Sequence, residues 1–307
     1  MRQLMNTLYL GMQKARNRMR AGRLRAAWQA READRAPAGQ GSPVELSLAP
    51  CRYCNADGPR QRVLGRVPLT SNQALRQTDY RLVRCAACEV IYLDPEPSAE
   101  DLRSLYIGSS QVADVRDLGN AQSLRTARTY ERRLRNLDLI PRAGETALEI
   151  GAGPAWICRA AKKHCAEVTT IAQDISDECA AHCPWVDQYI VGELSRLRPE
   201  RSVHLAALTH VIEHLPRPRE FLQELAAYLV LGGKVYITAP HRPAGWTAEH
   251  GFAAWLDYSY LHVPAHISYL SEKWMREAAR RAGFEVVRWD TSVDGYQVFE
   301  AVLERGE

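Results

Sequence analysis

The sequence predicts an α/β chain, and three features carry that prediction. The first is Ala147-Leu148-Glu149-Ile150-Gly151-Ala152-Gly153-Pro154, an apolar run that ends in a carboxylate and opens into a glycine turn. The helix-like segment Trp156-Ile157-Cys158-Arg159-Ala160-Ala161 follows at once, so the stretch reads as strand, tight turn and helix start. Second, further apolar and β-branched runs recur downstream with helical segments between them, the pattern of an open α/β sheet. Third, Cys51-x-x-Cys54 and Cys85-x-x-Cys88 stand ahead of this half and point to a separate, metal-built module.

The glycine turn is the most informative element. Glycines let the backbone pass close under a bound nucleotide, and the helix amino terminus lies at the site. The dinucleotide fingerprint wants Gly or Ala at its third position, where helix packs on strand, but Trp156 stands there. Glu149, directly before the first glycine, suits a different cofactor. After the first helix, Glu167-Val168-Thr169-Thr170-Ile171-Ala172-Gln173 is a β-branched strand that ends at Asp174. Tyr189-Ile190-Val191 is a short third strand, followed by Gly192-Glu193-Leu194. Leu205-Ala206-Ala207-Leu208 reads as a buried fourth strand leading into Thr209-His210-Val211-Ile212-Glu213-His214-Leu215-Pro216. Leu231 to Pro240 supplies a turn and a fifth strand, while His266 to Ser271 and Ala282 to Val287 mark a closing helix and a sixth.

In this order, over about 165 residues, these segments resemble the class I S-adenosylmethionine-dependent methyltransferases. The resemblance implies a Rossmann-like seven-stranded methyltransferase sheet over residues 141–307, with S-adenosyl-L-methionine as cofactor. In that family the turn at Gly151 and Gly153, with Glu149 before it, passes the methionine moiety. An acidic residue at the place of Asp174 holds both ribose hydroxyls, because a carboxylate accepts two hydrogen bonds at once. Glu193 and Leu194 resemble the segment that caps the adenine, with Glu193 near its exocyclic amine, and His210 matches a cofactor contact. Ala155 departs from the pattern by replacing its last glycine with another small residue.

His210, Glu213 and His214 also spell the inverted zinc-protease signature. That chemistry needs both histidines on one face of a sustained helix and a third ligand. Pro216 and Pro218 follow too soon for such a helix, which disfavours the protease reading and leaves His214 a capping or packing role.

Two thiolate pairs on tight turns supply the soft ligands of a tetrahedral structural zinc, so Cys51, Cys54, Cys85 and Cys88 are assigned to one metal site. The 30 intervening residues exceed the commonest spacing and fit a zinc ribbon over 50–95 with one long loop. Tyr80-Arg81-Leu82-Val83-Arg84 alternates like a strand entering the second knuckle. Asn55 tolerates positive φ after the first pair, whereas Glu89 stands where glycine is usual after the second. A set of four thiolates implies a closed, non-catalytic centre. Cys158, Cys165, Cys179 and Cys183 show no ligand-like pairing and are read as packing residues. A ribbon fused ahead of this domain resembles bacterial methyltransferases of sugar and cell-surface polysaccharide pathways. A helical connector over 96–140 joins the two, starting at Ser98 with a carboxylate three residues after the cap.

Residues 1–36 read as a basic amphipathic helix, with Leu4, Leu8, Met12 and Ala15 on one stripe, and 37–49 as a Gly/Ser/Pro linker. The helix carries nine Lys and Arg against Glu32 and Asp34, a net +7 that leaves −3 for the rest of a chain whose total is +4. It fits a peripheral membrane surface, a protein partner, a nucleic-acid arm or a solvated flap. The acidic remainder offers no phosphate-binding face, which weighs against nucleic acid. No apolar stretch approaches the ~20 residues of a membrane span, and Leu8-Tyr9-Leu10 is short for a secretory core. The expectation is therefore a cytoplasmic chain, peripheral to the membrane at most, with reduced cysteines.

The acceptor is expected at residues 241–269, which follow the fifth strand and concentrate His241, His250, His262 and His266 with Trp246, Phe252, Trp255, Tyr258, Tyr260 and Tyr269. Aromatics with polar tips can line an acceptor lid; the competing reading is a small satellite core. In the sugar C-methyltransferases a Glu-His pair precedes a Ser-Tyr-like segment and serves deprotonation. His266 matches that histidine, but Ala265 replaces the glutamate. His266 and His210 are the catalytic candidates. The function expected is methyl transfer to a small or carrier-linked acceptor, a sugar or glycolipid precursor. The alternatives are an RNA base methyltransferase and a non-catalytic cofactor-binding scaffold.

Overall fold

The structure is a computed structural model that describes residues 49–70, 75–106, 118–197, 202–250, 252–291 and 297–306. The helix expected over 1–36 and the linker up to residue 48 lie outside the described residues. In chain order the strands are β1 (Gln61–Val67), β2 (Tyr80–Cys85), β3 (Ile91–Asp94), β4 (Thr146–Ile150), β5 (Thr169–Asp174), β6 (Gln188–Val191), β7 (Val203–Thr209), β8 (Leu229–Pro240), β9 (Ser268–Tyr269), β10 (Phe284–Asp290) and β11 (Val298–Arg305). The helices are α1 (Ala99–Tyr106), α2 (Ala121–Asn136), α3 (Trp156–His164), α4 (Pro218–Ala226), α5 (Ala253–Leu256) and α6 (Glu272–Arg281). The chain forms two units: residues up to Asp101 with Arg242–Ser271, and Leu102–His241 with Glu272–Glu307. Residues 242–271 thus group with the cysteine module.

The first unit is built on an antiparallel sheet of order β1-β2-β3-β9. In β2 the apolar side chains Tyr80, Leu82 and Val83 are buried, with Arg81 and Arg84 partly exposed between and after them. The short strand β9 adds itself to β3 through the pairs Ile91 with Tyr269 and Tyr92 with Ser268, reinforced by Leu93 N–H donating to the Ile267 carbonyl at 2.9 Å. Its segment brings Trp246, Trp255, Tyr258 and Tyr269 into one core with Tyr80, Leu82 and Leu93. Trp255 is fully buried and packs edge-on against Tyr269 at 4.8 Å and Tyr258 at 5.5 Å between centroids. The aromatic lid expected over 241–269 is thus corrected: these rings form a core, because burial on several sides outweighs what their polar tips gain at a surface. Gly65, at a bulge in β1, belongs to the same packing. A Cβ there would stand 2.7 Å from Phe252 Cγ, so the close approach needs glycine. Ser98 caps α1 as expected, its Oγ accepting the Asp101 N–H at 3.0 Å.

The second unit is a seven-stranded sheet of order β10-β11-β8-β7-β4-β5-β6, as the sequence predicts. β11 runs antiparallel to both neighbours, and the pairs from β8 through β7, β4 and β5 to β6 are parallel. Parallel strands buried on both faces favour apolar residues, which Ala147, Leu148 and Ile150 of β4 and Leu205 to Leu208 of β7 supply, with Glu149 the buried exception. Leu134 and Leu139, from α2 and just beyond it, pack with Ile157, Leu205, Tyr236 and Val302. Each such side chain contributes roughly 1.5–3 kcal/mol by leaving water. Asn120 starts α2, its side-chain oxygen accepting the Ser123 N–H at 2.9 Å. The chain leaves β4 for β5 on one side and returns as β7 on the other. That makes the carboxyl ends of β4 and β7 the switch point where open α/β sheets bind ligands.

Candidate active site

At this switch point the glycine turn is the expected strand-turn-helix. Gly151 (φ +58°) and Gly153 (φ +46°) are left-handed, and so is Ala155 (φ +53°), which enters α3 without a side-chain cap. Gly151 also needs its missing side chain for space, since a Cβ would meet Val211 Cγ2 at 2.5 Å. At Gly153 a Cβ would meet nothing within 4 Å, so the backbone there borders open space.

Asp174 ends β5 beside the turn. Its Oδ2 accepts the Gly153 N–H at 2.8 Å and its Oδ1 the Ser176 N–H at 3.0 Å, leaving further lone pairs on both oxygens. Glu149, expected to border the cofactor, lies near the end of β4 just ahead of the turn. It is 2% exposed, and its Oε2 accepts the N–H groups of Ile157 at 2.8 Å and Cys158 at 3.0 Å. A carboxyl oxygen at a helix amino terminus satisfies donors that have no intrahelical partner, so Glu149 ties β4 to the first turn of α3. Burial pushes its carboxyl up to about 8, against the lowering effect of those two amides. Glu193 is exposed and heads a single 3-10 turn, Leu194–Arg196, in which Leu194 is buried.

After β7, His210 takes a left-handed backbone (φ +58°) and its N–H donates to the Thr238 carbonyl at 2.8 Å. Only a 3-10 turn, Ile212–His214, follows before Pro216, as the prolines require. Glu213 is not among the site residues predicted from the sequence. It is 1% exposed, and its Oε1 lies 3.5 Å from His210 Nδ1 and 3.8 Å from His214 Nε2, so a buried carboxylate stands between two imidazoles. Its place in the His210-x-x-Glu213-His214 pattern is the signal that the sequence offers.

In the first unit, His266 is buried and its Nδ1 donates to the Tyr260 carbonyl at 2.7 Å. In a neutral ring that bond sets the tautomer, with the proton on Nδ1. The four module cysteines come together: each sulfur lies within 4.8 Å of the others, with Cys51 to Cys88 at 3.8 Å and Cys54 to Cys85 at 3.6 Å. The two knuckles share one hydrogen-bond pattern. Cys51 O accepts from Asn55 N–H at 2.6 Å and Cys51 N–H donates to Ala56 O at 2.8 Å; Cys85 does the same with Glu89 at 2.8 Å and Val90 at 3.0 Å. That pattern needs a left-handed residue after each pair, and Glu89 (φ +64°) adopts it as Asn55 (φ +60°) does. Cys158, Cys179 and Cys183 pack together in an apolar cluster with Ala152 and Ala155, in keeping with a packing role.

The sheet order and the turn at its switch point are those of an open α/β fold with a ligand site at the carboxyl ends of its strands. Residues 122–288, more than half of the chain, match the family model described as a methyltransferase domain, and the protein belongs to that family. It is accordingly an enzyme of methyl transfer. Among solved structures it is similar to the Burkholderia thailandensis 1,6-didemethyltoxoflavin-N1-methyltransferase with bound 1,6-didemethyltoxoflavin and S-adenosylhomocysteine. That likeness has 13% identity and a TM-score of 0.49, over 77% of this chain and 100% of that one. It is also similar to an S-adenosylmethionine dependent methyltransferase from Mesorhizobium loti, at 18% identity and a TM-score of 0.44, over 61% of this chain and 99% of that one. No curated protein matches the sequence. No helix among the described residues is long and apolar enough to cross a membrane.

Proposed function

We propose that the protein transfers a methyl group from S-adenosyl-L-methionine to a small or carrier-linked acceptor, a sugar or glycolipid precursor in keeping with the ribbon that precedes the domain. The observation that carries the cofactor assignment is Asp174, held 2.8 Å from the Gly153 amide at the end of the neighbouring strand. The residues fit the group: the turn borders open space at Gly153, and each Asp174 oxygen keeps capacity for a ribose hydroxyl. When bound, the cofactor supplies an electrophilic sulfonium methyl group. The chain's part is to orient it. Gly151 and Gly153 pass the methionine moiety, Asp174 accepts the ribose hydroxyls, and Glu193 with the Leu194 backbone borders the adenine. Glu149 acts indirectly, by holding the turn against α3.

His266 is assigned to take or orient the acceptor's proton through Nε2, and His210 is the competing candidate, oriented by Glu213. A general base of this kind contributes roughly 10²–10⁴-fold to turnover. His266→Ala and His210→Ala are therefore compared on one acceptor, and the assignment falls if His266→Ala is fully active.

Cys51, Cys54, Cys85 and Cys88 are assigned one structural zinc. The donor set fits: zinc–sulfur bonds of about 2.3 Å in a tetrahedron put sulfurs about 3.8 Å apart, beside the 3.8 Å and 3.6 Å of the two pairs. With all ligands thiolate the ion stabilises the ribbon and leaves no open position for chemistry.

The deciding experiment offers labelled cofactor with separate pools of sugar nucleotides, lipid-linked sugars and RNA. Transfer to either sugar pool supports the proposal, and transfer to RNA alone replaces it. Tight cofactor binding without transfer to any pool indicates a scaffold.

A further inference from the structure

The glycine turn is held from two sides, and only one belongs to the motif itself. On the amide side, Gly153 N–H donates to Asp174 Oδ2, and Ile157 and Cys158 donate to Glu149 Oε2. On the carbonyl side the donors come from the run into β6. Tyr189 Oη donates to the Gly153 carbonyl at 3.3 Å, and Trp185 Nε1 donates to the Pro154 carbonyl at 3.2 Å. The turn adds one bond of its own, Ala155 N–H to the Ala152 carbonyl at 2.7 Å.

These outer bonds constrain more than two oxygens. A carbonyl and the next amide share one rigid plane, so holding the Pro154 carbonyl also sets where the Ala155 N–H points. Ala155 is left-handed with a side chain, a conformation disfavoured in isolation, so the turn needs restraints from outside itself. Trp185 is itself anchored. Its ring stacks on Trp156, the first residue of α3, with centroids 5.7 Å apart and planes 23° apart, and the Arg159 guanidinium lies 5.1 Å from its centroid and 5.6 Å from that of Trp156. Tyr189 is fixed by the pairing of β6 with β5, opposite Ala172. Burial raises its phenol above the usual tyrosine range, so it stays a donor.

We infer that Trp185 and Tyr189 are positioning residues of the cofactor site, which hold the Gly153 and Pro154 carbonyls and keep the turn in its cofactor-receiving conformation. The inference rests on the proposed assignment of the turn to S-adenosylmethionine. Pre-organisation of this kind strengthens binding by removing an ordering cost, without a contact to the ligand.

Tyr189→Phe and Trp185→Phe each delete one donor and keep an aromatic ring in place. Two readouts test them: calorimetric affinity for S-adenosylhomocysteine, and amide hydrogen exchange of residues 151–158 in the unliganded protein. Each variant is expected to bind about fivefold more weakly and the pair roughly 10–30-fold, as one and two lost hydrogen bonds imply. Exchange in the turn is expected to quicken in both. Tyr236→Phe is the control for general destabilisation. It removes the 2.9 Å bond from Tyr236 Oη to Glu300 in the same unit and is expected to leave affinity and turn exchange unchanged. Wild-type affinity and turn exchange in Tyr189→Phe and Trp185→Phe, or an equal loss in Tyr236→Phe, overturns the inference. Wild-type affinity in Asp174→Ala instead overturns the cofactor assignment, and the exchange measurement then still decides whether the two side chains restrain the turn.

Discussion

Replacing Gly151 with alanine tests the geometry of the turn directly, because two separate costs can be worked from the structure. The residue sits at φ +58°, where an L side chain costs about 1–2 kcal/mol. The added Cβ would also stand 2.5 Å from Val211 Cγ2, at least 1 Å inside the ~3.5–4.0 Å optimum for carbon pairs. Overpacking on that scale costs typically about 1–3 kcal/mol, so Gly151→Ala is expected to lose about 2–5 kcal/mol in all. Urea unfolding followed by circular dichroism, with an unchanged m-value, measures that loss. Combining Gly151→Ala with Val211→Ala separates the costs, because the double variant relieves the clash and keeps the backbone strain. A favourable coupling of about 1–3 kcal/mol is expected from that cycle. If Gly151→Ala stays within about 0.5 kcal/mol of wild type, the turn is not held in this conformation. If the two substitutions simply add, Val211 is not the obstacle.

Asp174→Ala should weaken binding of S-adenosylmethionine and S-adenosylhomocysteine by about 2–4 kcal/mol, since it removes charge-assisted bonds; calorimetry reads the change. Protein purified without chelator should carry one zinc per chain by elemental analysis, and Cys85→Ser should lose both the metal and thermal stability. Glu149 predicts an unusual pH dependence. Its folded pKa of about 8 lies above the 4.5 of a free glutamate, so the folded state holds the extra proton between those values. Its contribution is then full below pH ~4.5 and declines as pH rises toward ~8, with a slope of at most about 1.4 kcal/mol per pH unit. Urea titrations at pH 5.5 and 7.5 should show that decline in the wild type and a flatter response in Glu149→Gln; parallel curves refute the assignment to Glu149.

The sequence by itself determined the elements whose signals are local. The strands β4 and β7 are legible because a parallel strand buried on both faces is largely apolar, as Ala147-Leu148 and Leu205-Ala206-Ala207-Leu208 are. The turn at Gly151 and Gly153 is legible because few residues tolerate its backbone, and the cysteine pairs because Cys-x-x-Cys at matched spacing is a distinctive local pattern. Tertiary structure decided where those elements meet. β9 is only Ser268 and Tyr269, too short to show a period, so its pairing with β3 left no mark in the sequence. That pairing turned the aromatics of 242–271 from an expected lid into a core, since a tryptophan in a lid and one in a core read alike until their neighbours are known. The same holds within the turn. Glu149 could be seen next to the first glycine, but its direction follows from how α3 packs on β4. Tyr189, set by the register of β6 on β5, reaches a carbonyl 36 residues away in the chain, and Trp185, just before β6, reaches one 31 residues away. Side-chain type and local period are written in sequence; hydrogen bonds across such separations arise only when the sheet has set its register.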